Sequence, residues 1–286
     1  ALLARTDDGR TASGGLVVDD LCALPQSACV QLAQSLVGPN IVVYNVGCRA
    51  ACNAIGRFSG GTGIIGFDSG IVLGTGSVAE IVGPNDLPNE TTYNGLPGDR
   101  DLAELVPGAL LCSQPGIAPR RTCDAAVLEF NFEYSLGCQG VSVVSFEYVF
   151  ASEEYSEFVL PTGLDSFNDV FAFFLNGENI AIIPGTTSTP VAVENLHCGY
   201  FQEKNCCPGP FRDCSPYGGP NCILFRNNSF LDPAALCHLP LTCVDDMNGP
   251  CPDTIPINTE MDGLTIPLIA TGPVHPVGVN YIKLAI

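Results

Sequence analysis

Acidic and amide side chains cluster where two apolar runs of the sequence begin or end. Glu153 and Glu154 follow one such run, and Asn168 and Asp169 directly precede another. Carboxylate and amide oxygens on loops are the ligands that Ca²⁺ prefers, about six to eight per ion. Because these four residues are expected at boundaries between strands and loops, we interpret them as candidate calcium ligands.

Asp99 and Asp101 extend this set, since both lie in a glycine-containing turn elsewhere in the chain. The same residue types also cap strand ends and turns by accepting backbone N–H bonds, and that interpretation stays open. No spacing resembles an EF-hand loop or a glycine-rich nonapeptide repeat. The prediction is a single calcium site with ligands from the following residues: Glu153, Glu154, Asn168, Asp169, Asp99 and Asp101.

Catalytic chemistry has little support in the sequence. The side chains of Glu153 and Glu154 would point to opposite faces of an extended strand, whereas the two carboxylates of a glycosidase must flank one bond. Glu153 with Asp169 is a geometric alternative, so a secreted glycoside hydrolase is a minor hypothesis. The three histidines occur in no recognisable catalytic motif, and no G-x-S-x-G or H-E-x-x-H sequence is present. We predict a protein that is not an enzyme.

The 15 cysteines indicate an oxidising compartment. None of them forms the C-x-x-C pair that is typical of zinc knuckles and thioredoxin-like sites, so structural disulfides are the better interpretation. Because the number is odd, at least one thiol must be free, modified or bonded to another molecule. The disulfide candidates are seven cysteines of the scaffold and eight of one later segment: Cys22, Cys29, Cys48, Cys52, Cys112, Cys123 and Cys138, then Cys198, Cys206, Cys207, Cys214, Cys222, Cys237, Cys243 and Cys251.

A net charge of −19 with only 11 basic residues argues against binding to nucleic acid or to an anionic membrane. The chain begins at Ala1 without a leader, and no apolar run reaches the roughly 18 residues that span a bilayer. These features predict a mature, exported chain, extracellular or on the cell surface, with no direct membrane span. Two sequons, at Asn89 and Asn227, would matter only in a host that glycosylates asparagine.

Short apolar runs alternate with glycine and proline through most of the chain, which favours strands. Residues 126–132 alternate between apolar and polar, and the apolar run 170–175 followed by Asn176-Gly177 predicts a hairpin. Apolar positions at three- and four-residue spacings over 25–37 predict one helix. We therefore expect an all-β fold, an antiparallel β-sandwich of jelly-roll type with one peripheral helix, and a barrel is the alternative.

Three parts are expected along the chain. Residues 1–20 form an N-terminal extended arm, and residues 21–286 form the sandwich. Residues 198–257 interrupt the sandwich as an insertion rich in cysteine and proline. Its shape would come from disulfide cross-links, because its own apolar core would be too small.

Several segments occur together in the order expected of one known family. They include FASEEY at 150–155, NDVFAFFLNG at 168–177 and MDGLTIPLIATGPVHPVGVNYIKLAI at 261–286. On these motifs the chain resembles the choice-of-anchor L domain, which implies an exported, mostly bacterial surface protein. The resemblance does not extend to the cysteine-rich insertion. Family members usually continue past the KLAI strand into a further strand, whereas this sequence stops at Ile286.

These properties favour a non-enzymatic extracellular structural protein, a subunit of a surface filament or matrix that is stabilised by disulfides. A sandwich that lacks a strand exposes backbone groups that can pair with a strand from elsewhere. We interpret Leu16, Val17 and Val18 as an assembly arm that pairs with the sheet of a neighbouring copy. The alternatives are an arm that packs on its own domain, and a calcium-dependent cell-surface adhesin or carbohydrate-binding module. The expected partners are copies of this chain or other surface proteins and glycans, and the expected cofactor is Ca²⁺.

Overall fold

The fold was obtained as a computed structural model, in which two β-sheets account for most of the regular structure. The structure describes residues 1–6, 14–25, 27–87, 90–106, 109–112, 120–134, 143–155, 168–197, 221–228 and 257–286. In chain order the strands are β1 (Leu2–Arg5), β2 (Val17–Asp20), β3 (Ile41–Arg49), β4 (Ile55–Ser59), β5 (Gly70–Leu73), β6 (Ala109–Leu111), β7 (Arg120–Thr122), β8 (Val127–Tyr134), β9 (Val143–Ser152), β10 (Val170–Leu175), β11 (Glu178–Asn179), β12 (Val191–Ala192), β13 (Phe225–Asn227), β14 (Gly263–Thr265), β15 (Leu268–Pro273) and β16 (Asn280–Ala285). The α-helices are α1 (Ala28–Ser35) and α2 (Arg100–Leu105).

The larger sheet has the strand order β13-β14-β9-β1-β5-β4-β2, and β15 also pairs with β9. The smaller sheet has the order β11-β10-β16-β8-β3, and β12 also pairs with β10. All pairings within these two sheets are antiparallel, whereas β6 and β7 form a separate parallel pair. The predicted all-β sandwich is therefore confirmed.

Alternating apolar residues place the core between the two sheets. On β8, Phe130 and Phe132 point inward and are buried, while Asn131 between them is partly exposed. Aromatic rings then bridge the sheets, because Phe146 of the larger sheet lies 4.4 Å from Phe173 of the smaller sheet, measured between ring centroids. The strand β10 is buried along its whole length, as expected for a run that is apolar on both faces.

The outer faces of both sheets are also covered. A second cluster lies behind the larger sheet, where Leu3, Val72 and Val149 pack against residues of the loops around 64–67 and 257–264. A third cluster lies behind the smaller sheet and includes Leu102 of α2. This second layer explains why several strands, such as β5, are buried on both faces.

The first 20 residues differ from the predicted extended arm. Residues 2–5 form the strand β1, which lies between β5 and β9 in the middle of the larger sheet of its own chain. Residues 17–20 form β2, which pairs with β4 at an edge of the same sheet. The physical reason for the difference is burial, since the Leu2, Leu3 and Leu16 side chains find apolar neighbours in the chain's own cores.

The predicted helix is present as α1, whose Leu32 and Ala33 side chains are buried. A second helix, α2, was not predicted, because six residues give too little periodicity to recognise. Its N-terminus is capped by Asp99, whose carboxylate accepts the backbone N–H groups of Asp101 and Leu102 at 3.0 and 3.3 Å.

The hairpin predicted after β10 is confirmed, with Asn176 and Gly177 both at positive φ as a two-residue turn requires. Its returning strand is β11, which is only two residues long. Most of the cysteine-rich insertion lies outside the described residues. Within it, residues 225–227 form β13 and extend the larger sheet beyond β14.

Candidate functional site

The predicted ligands near residues 153 and 169 meet at one end of the sandwich. The strand β9 of the larger sheet ends at Ser152, and β10 of the smaller sheet starts just after Asp169. The Ser152 hydroxyl donates a hydrogen bond to Asp169 Oδ2 at 2.8 Å and accepts one from the Glu154 N–H at 3.1 Å. Since β9 and β10 face each other across the core, their ends bring FASEEY at 150–155 and NDV at 168–170 together.

A pocket of about 570 Å³ opens at this end of the molecule. Its lining includes Asn168, Tyr93, which is largely exposed, and residues 74–77. No lysine, arginine or histidine of the described residues lines it. Six carboxylates do so, and we call this region the acidic pocket: Glu80, Glu90, Asp124, Glu153, Glu154 and Asp169.

Several of these polar groups already have partners within the chain. Glu80 accepts a hydrogen bond from the Thr92 hydroxyl, and Asp124 accepts backbone N–H groups of the 94–96 turn. The Asn168 side-chain oxygen accepts the Glu194 N–H at 3.0 Å. These contacts are of the capping type that the sequence left open as an alternative to calcium binding.

Glu153 differs from its neighbours in the acidic pocket. Both of its carboxylate oxygens are shielded from solvent and neither makes a well-formed hydrogen bond to the described residues, although the Glu90 backbone N–H is near enough to oppose the rise of its pKa. Burial, followed by the nearby negative charges of Asp262 and Glu260, raises the pKa of Glu153 to about 9. Its carboxyl group is therefore mostly protonated at neutral pH, unless a cation joins it.

Glu260 and Asp262 were missed by the sequence interpretation. Both are almost completely buried beside the acidic pocket. Glu260 accepts the Leu87 N–H at 2.9 Å, and Asp262 accepts the Asn85 side-chain amide at 2.9 Å. The sequence signal for these two residues was the segment EMDGLT at 260–265, in which two acidic residues lie in a run that is otherwise apolar or small.

Asp99 and Asp101 do not join the acidic pocket. Lys283 of β16 lies between them, with its ammonium group 2.6 Å from Asp99 Oδ1 and 2.6 Å from Asp101 Oδ2. Burial alone would raise the pKa of Asp99, but hydrogen bonds and charges from Lys283 and Arg49 outweigh burial and hold its pKa below the usual value. These two predicted ligands are instead neutralised by basic side chains.

The geometry within the described ranges does not by itself form a metal site. No group of three or more acidic, histidine or cysteine side chains there converges closely enough to hold an ion. The pair weighed for glycoside hydrolysis, Glu153 and Asp169, does line the same pocket. Among the helices that the structure describes, none is long and apolar enough to cross a membrane.

Six of the predicted disulfide cysteines pair with one another. Cys22 bonds Cys52, Cys29 bonds Cys48, and Cys112 bonds Cys123. The first two bridges attach the segment around α1 to β3 and to the turn that follows it. The remaining scaffold cysteine, Cys138, lies outside the described residues. So do the insertion cysteines, apart from the backbone of Cys222: Cys198, Cys206, Cys207, Cys214, Cys237, Cys243 and Cys251.

The predicted assembly arm lies on its own chain. Leu16 is buried in the cluster behind the larger sheet, whereas Val17 is half exposed. Val17 and Val18 pair with Ser59 and Phe58 of β4. A role of these three residues between copies stays a prediction.

The antiparallel sandwich, its disulfides and the acidic pocket at one end make this chain a disulfide-stabilised β-sandwich protein. Within that class, residues 16–286 match the family described as the choice-of-anchor L domain. The chain belongs to this family, and the resemblance noted in the sequence is confirmed. Membership indicates a secreted or surface-associated protein. No curated protein and no solved structure matches it significantly.

Proposed function

We propose that this protein is a non-enzymatic structural subunit of an extracellular filament or matrix, in which copies of the chain associate by β-strand pairing. The disulfides support this proposal, because a subunit outside the cell gains resistance to unfolding from covalent cross-links. Family membership supports the location at a surface.

The observation that carries the proposal is a set of open sheet edges. Within the residues that the structure describes, β2, β3 and β15 each pair on one side only. Each also exposes an apolar side chain, with Val17 at 51%, Val42 at 54% and Ile269 at 64% exposure. Unpaired backbone groups beside exposed apolar residues favour pairing with a strand of another molecule.

The net charge makes association dependent on salt. Copies that each carry −19 repel one another, and added ions screen that repulsion. Electron microscopy of the purified chain over a range of salt concentrations tests the proposal. Filaments or ordered sheets at physiological or higher salt are expected, and isolated particles under every extracellular condition contradict it.

A calcium-dependent adhesin or carbohydrate-binding module is the second candidate function. It is supported by the buried carboxyl group of Glu153, which makes no well-formed hydrogen bond to the described residues in a pocket lined by six carboxylates. A divalent cation would supply positive charge that no described side chain of the pocket carries, with Asp169, Glu154 and water as further oxygen ligands. The exposed Tyr93 ring at the same pocket would offer a sugar a flat apolar face.

Thermal melting with Ca²⁺, with Mg²⁺ and with a chelator tests the second candidate. A ligand that binds only the folded chain raises its melting temperature by mass action, so calcium is expected to raise it and the chelator to reverse the effect. Glu153→Gln should abolish the shift. Asp101→Asn, which changes a carboxylate outside the pocket, should retain it. A melting temperature that does not respond to calcium contradicts this function.

A further inference from the structure

The strand β1 fills a groove in the middle of the larger sheet. It pairs with β5 on one side, where Leu2 lies opposite Leu73, and with β9 on the other, where Leu2 lies opposite Phe150. Both pairings are antiparallel. The backbone of β1 is therefore held from two sides, as in a strand that completes a sheet.

The side chains of β1 enter two different cores. Leu2 and Ala4 belong to the core between the sheets, and Leu3 belongs to the cluster behind the larger sheet. All three are at most 2% exposed. Without β1, the apolar walls of the groove, including Ile71 and Val149, would face solvent. The groove must hold a strand with this pattern to remain stable in water.

The groove is shaped for close approach of β1. A Cβ atom at Gly70, the first residue of β5, would lie 2.0 Å from the Ala4 carbonyl oxygen. Only glycine allows the two backbones to pair at this point. The fit does not depend on which copy of the chain supplies the strand.

The connection between β1 and β2 is long enough in sequence for the two strands to lie far apart. The two strands are not neighbours, because β5 and β4 lie between them in the sheet. Residues 6–16 join them and include Gly9, Gly14 and Gly15. A connection of 11 residues spans at most about 36–40 Å when extended, a distance comparable to a small domain. β1 can therefore leave its groove while β2 stays paired with β4.

We infer that β1 is an exchangeable strand, which in the assembled protein fills the groove between β5 and β9 of a second copy. This inference rests on the proposed homopolymer. Exchange preserves every contact that β1 makes, so the closed and exchanged states differ only in the connection and in any new contact between copies. Because each copy gives one strand and receives one, the contact is head-to-tail and can continue along a filament.

An ion pair at the end of β1 provides a reporter for exchange. Arg5 Nη1 lies 2.8 Å from Glu147 Oε2 of β9, and both side chains are accessible to reagents. Arg5→Lys keeps the positive charge and supplies an amine. A carbodiimide then converts the pair to an amide. The reagent activates the Glu147 carboxyl group, and the lysine amine attacks it and loses a proton. The carboxyl oxygen leaves with the reagent as a urea.

The experiment uses two batches of the Arg5→Lys chain, one of natural isotopic composition and one labelled with ¹⁵N. They are mixed in equal amounts before assembly, assembled, cross-linked and digested for mass spectrometry. The native pair Lys283–Asp101 is an internal control, because both residues belong to the body of one sandwich. Its cross-links should always join peptides of the same isotope.

Exchange predicts that about half of the cross-links between residues 5 and 147 join light to heavy peptides, as random mixing of copies requires. Same-isotope cross-links only, in material that forms filaments, would overturn the exchange and leave the proposed polymer in place. Absence of filaments together with same-isotope cross-links would overturn both.

Discussion

The ammonium group of Lys283 lies 2.6 Å from the carboxylate of Asp99, and both side chains are at most 5% exposed. This buried ion pair joins the central strand of the smaller sheet to the N-terminus of α2. Asp101 provides a second contact to the same lysine from the solvent side, where its side chain is half exposed. Together with the packing of Leu102 in the third cluster, the pair holds α2 against the sheet.

Replacement of Lys283 by methionine should destabilise the fold strongly. The change leaves the buried Asp99 carboxylate with only the partly exposed Arg49 as a charged partner, and breaking such a pair costs about 3–5 kcal/mol. Asp101→Asn is the matched control and should cost less than about 1 kcal/mol, because that contact is half exposed. Urea unfolding of both variants measures the difference. Equal midpoints for the two variants would show that burial of this ion pair does not matter.

The buried Glu153 should make the fold less stable as pH rises. Its pKa is raised from the ordinary 4.5 to about 9, so between these values the folded chain holds a proton that the unfolded chain has released. The stabilising effect of this proton is complete below pH 4.5 and is lost as pH rises towards 9, with a slope of at most about 1.4 kcal/mol per pH unit. Glu153→Gln should flatten the slope and stabilise the chain above neutral pH.

Denaturant unfolding at pH 6, 7 and 8, in the presence of a chelator, measures how the free energy of unfolding changes with pH. Glu147→Gln serves as the control, because Glu147 lies on β9 outside the acidic pocket and pairs with Arg5. The control should keep the pH dependence of the unmodified chain. An unchanged slope in Glu153→Gln contradicts the assignment of the proton to this residue.

Gly70→Ala should weaken the pairing of β1 with β5. The added Cβ would lie 2.0 Å from the Ala4 carbonyl oxygen and 2.7 Å from the Phe58 ring, so the strands must separate locally. We expect a loss of about 1–3 kcal/mol in the free energy of unfolding. Gly63→Ala has open space around the new Cβ and should change stability by less than about 0.5 kcal/mol. Equal stability of the two variants would contradict the pairing of β1 with β5.

The bridge between Cys22 and Cys52 should stabilise the chain by limiting its unfolded state. It closes a loop with a sequence separation of 30, but the Cys29–Cys48 bridge inside that loop shortens its free part, so chain entropy gives about 3 kcal/mol. The double variant Cys22→Ser, Cys52→Ser should unfold at lower urea concentration by a corresponding amount. Peptide mapping without reduction should recover this bridge in the unmodified chain, and recovery of either cysteine in another bridge would contradict the structure.

Sequence patterns predicted the sandwich and three of the six carboxylates of the acidic pocket: Glu153, Glu154 and Asp169. The alternation in β8 and the run of β10 are strong local signals, and the meeting of Glu153 with Asp169 followed from their positions at strand ends. The contact of Lys283 with Asp99 was not predicted, because residues separated by 184 positions meet only through the sheet order. The strand β1 was missed because LLAR is too short to show a period and its partners are distant in the sequence.

Both sheets have as their central strand a segment from one end of the described chain. β1 occupies the middle of the larger sheet, and β16 lies between β10 and β8 in the smaller one. The centre of the larger sheet can therefore not form before residue 152 has been synthesised, and that of the smaller sheet not before residue 285. Pairings so distant in the sequence form slowly, so the centres of both sheets are expected to order late in folding.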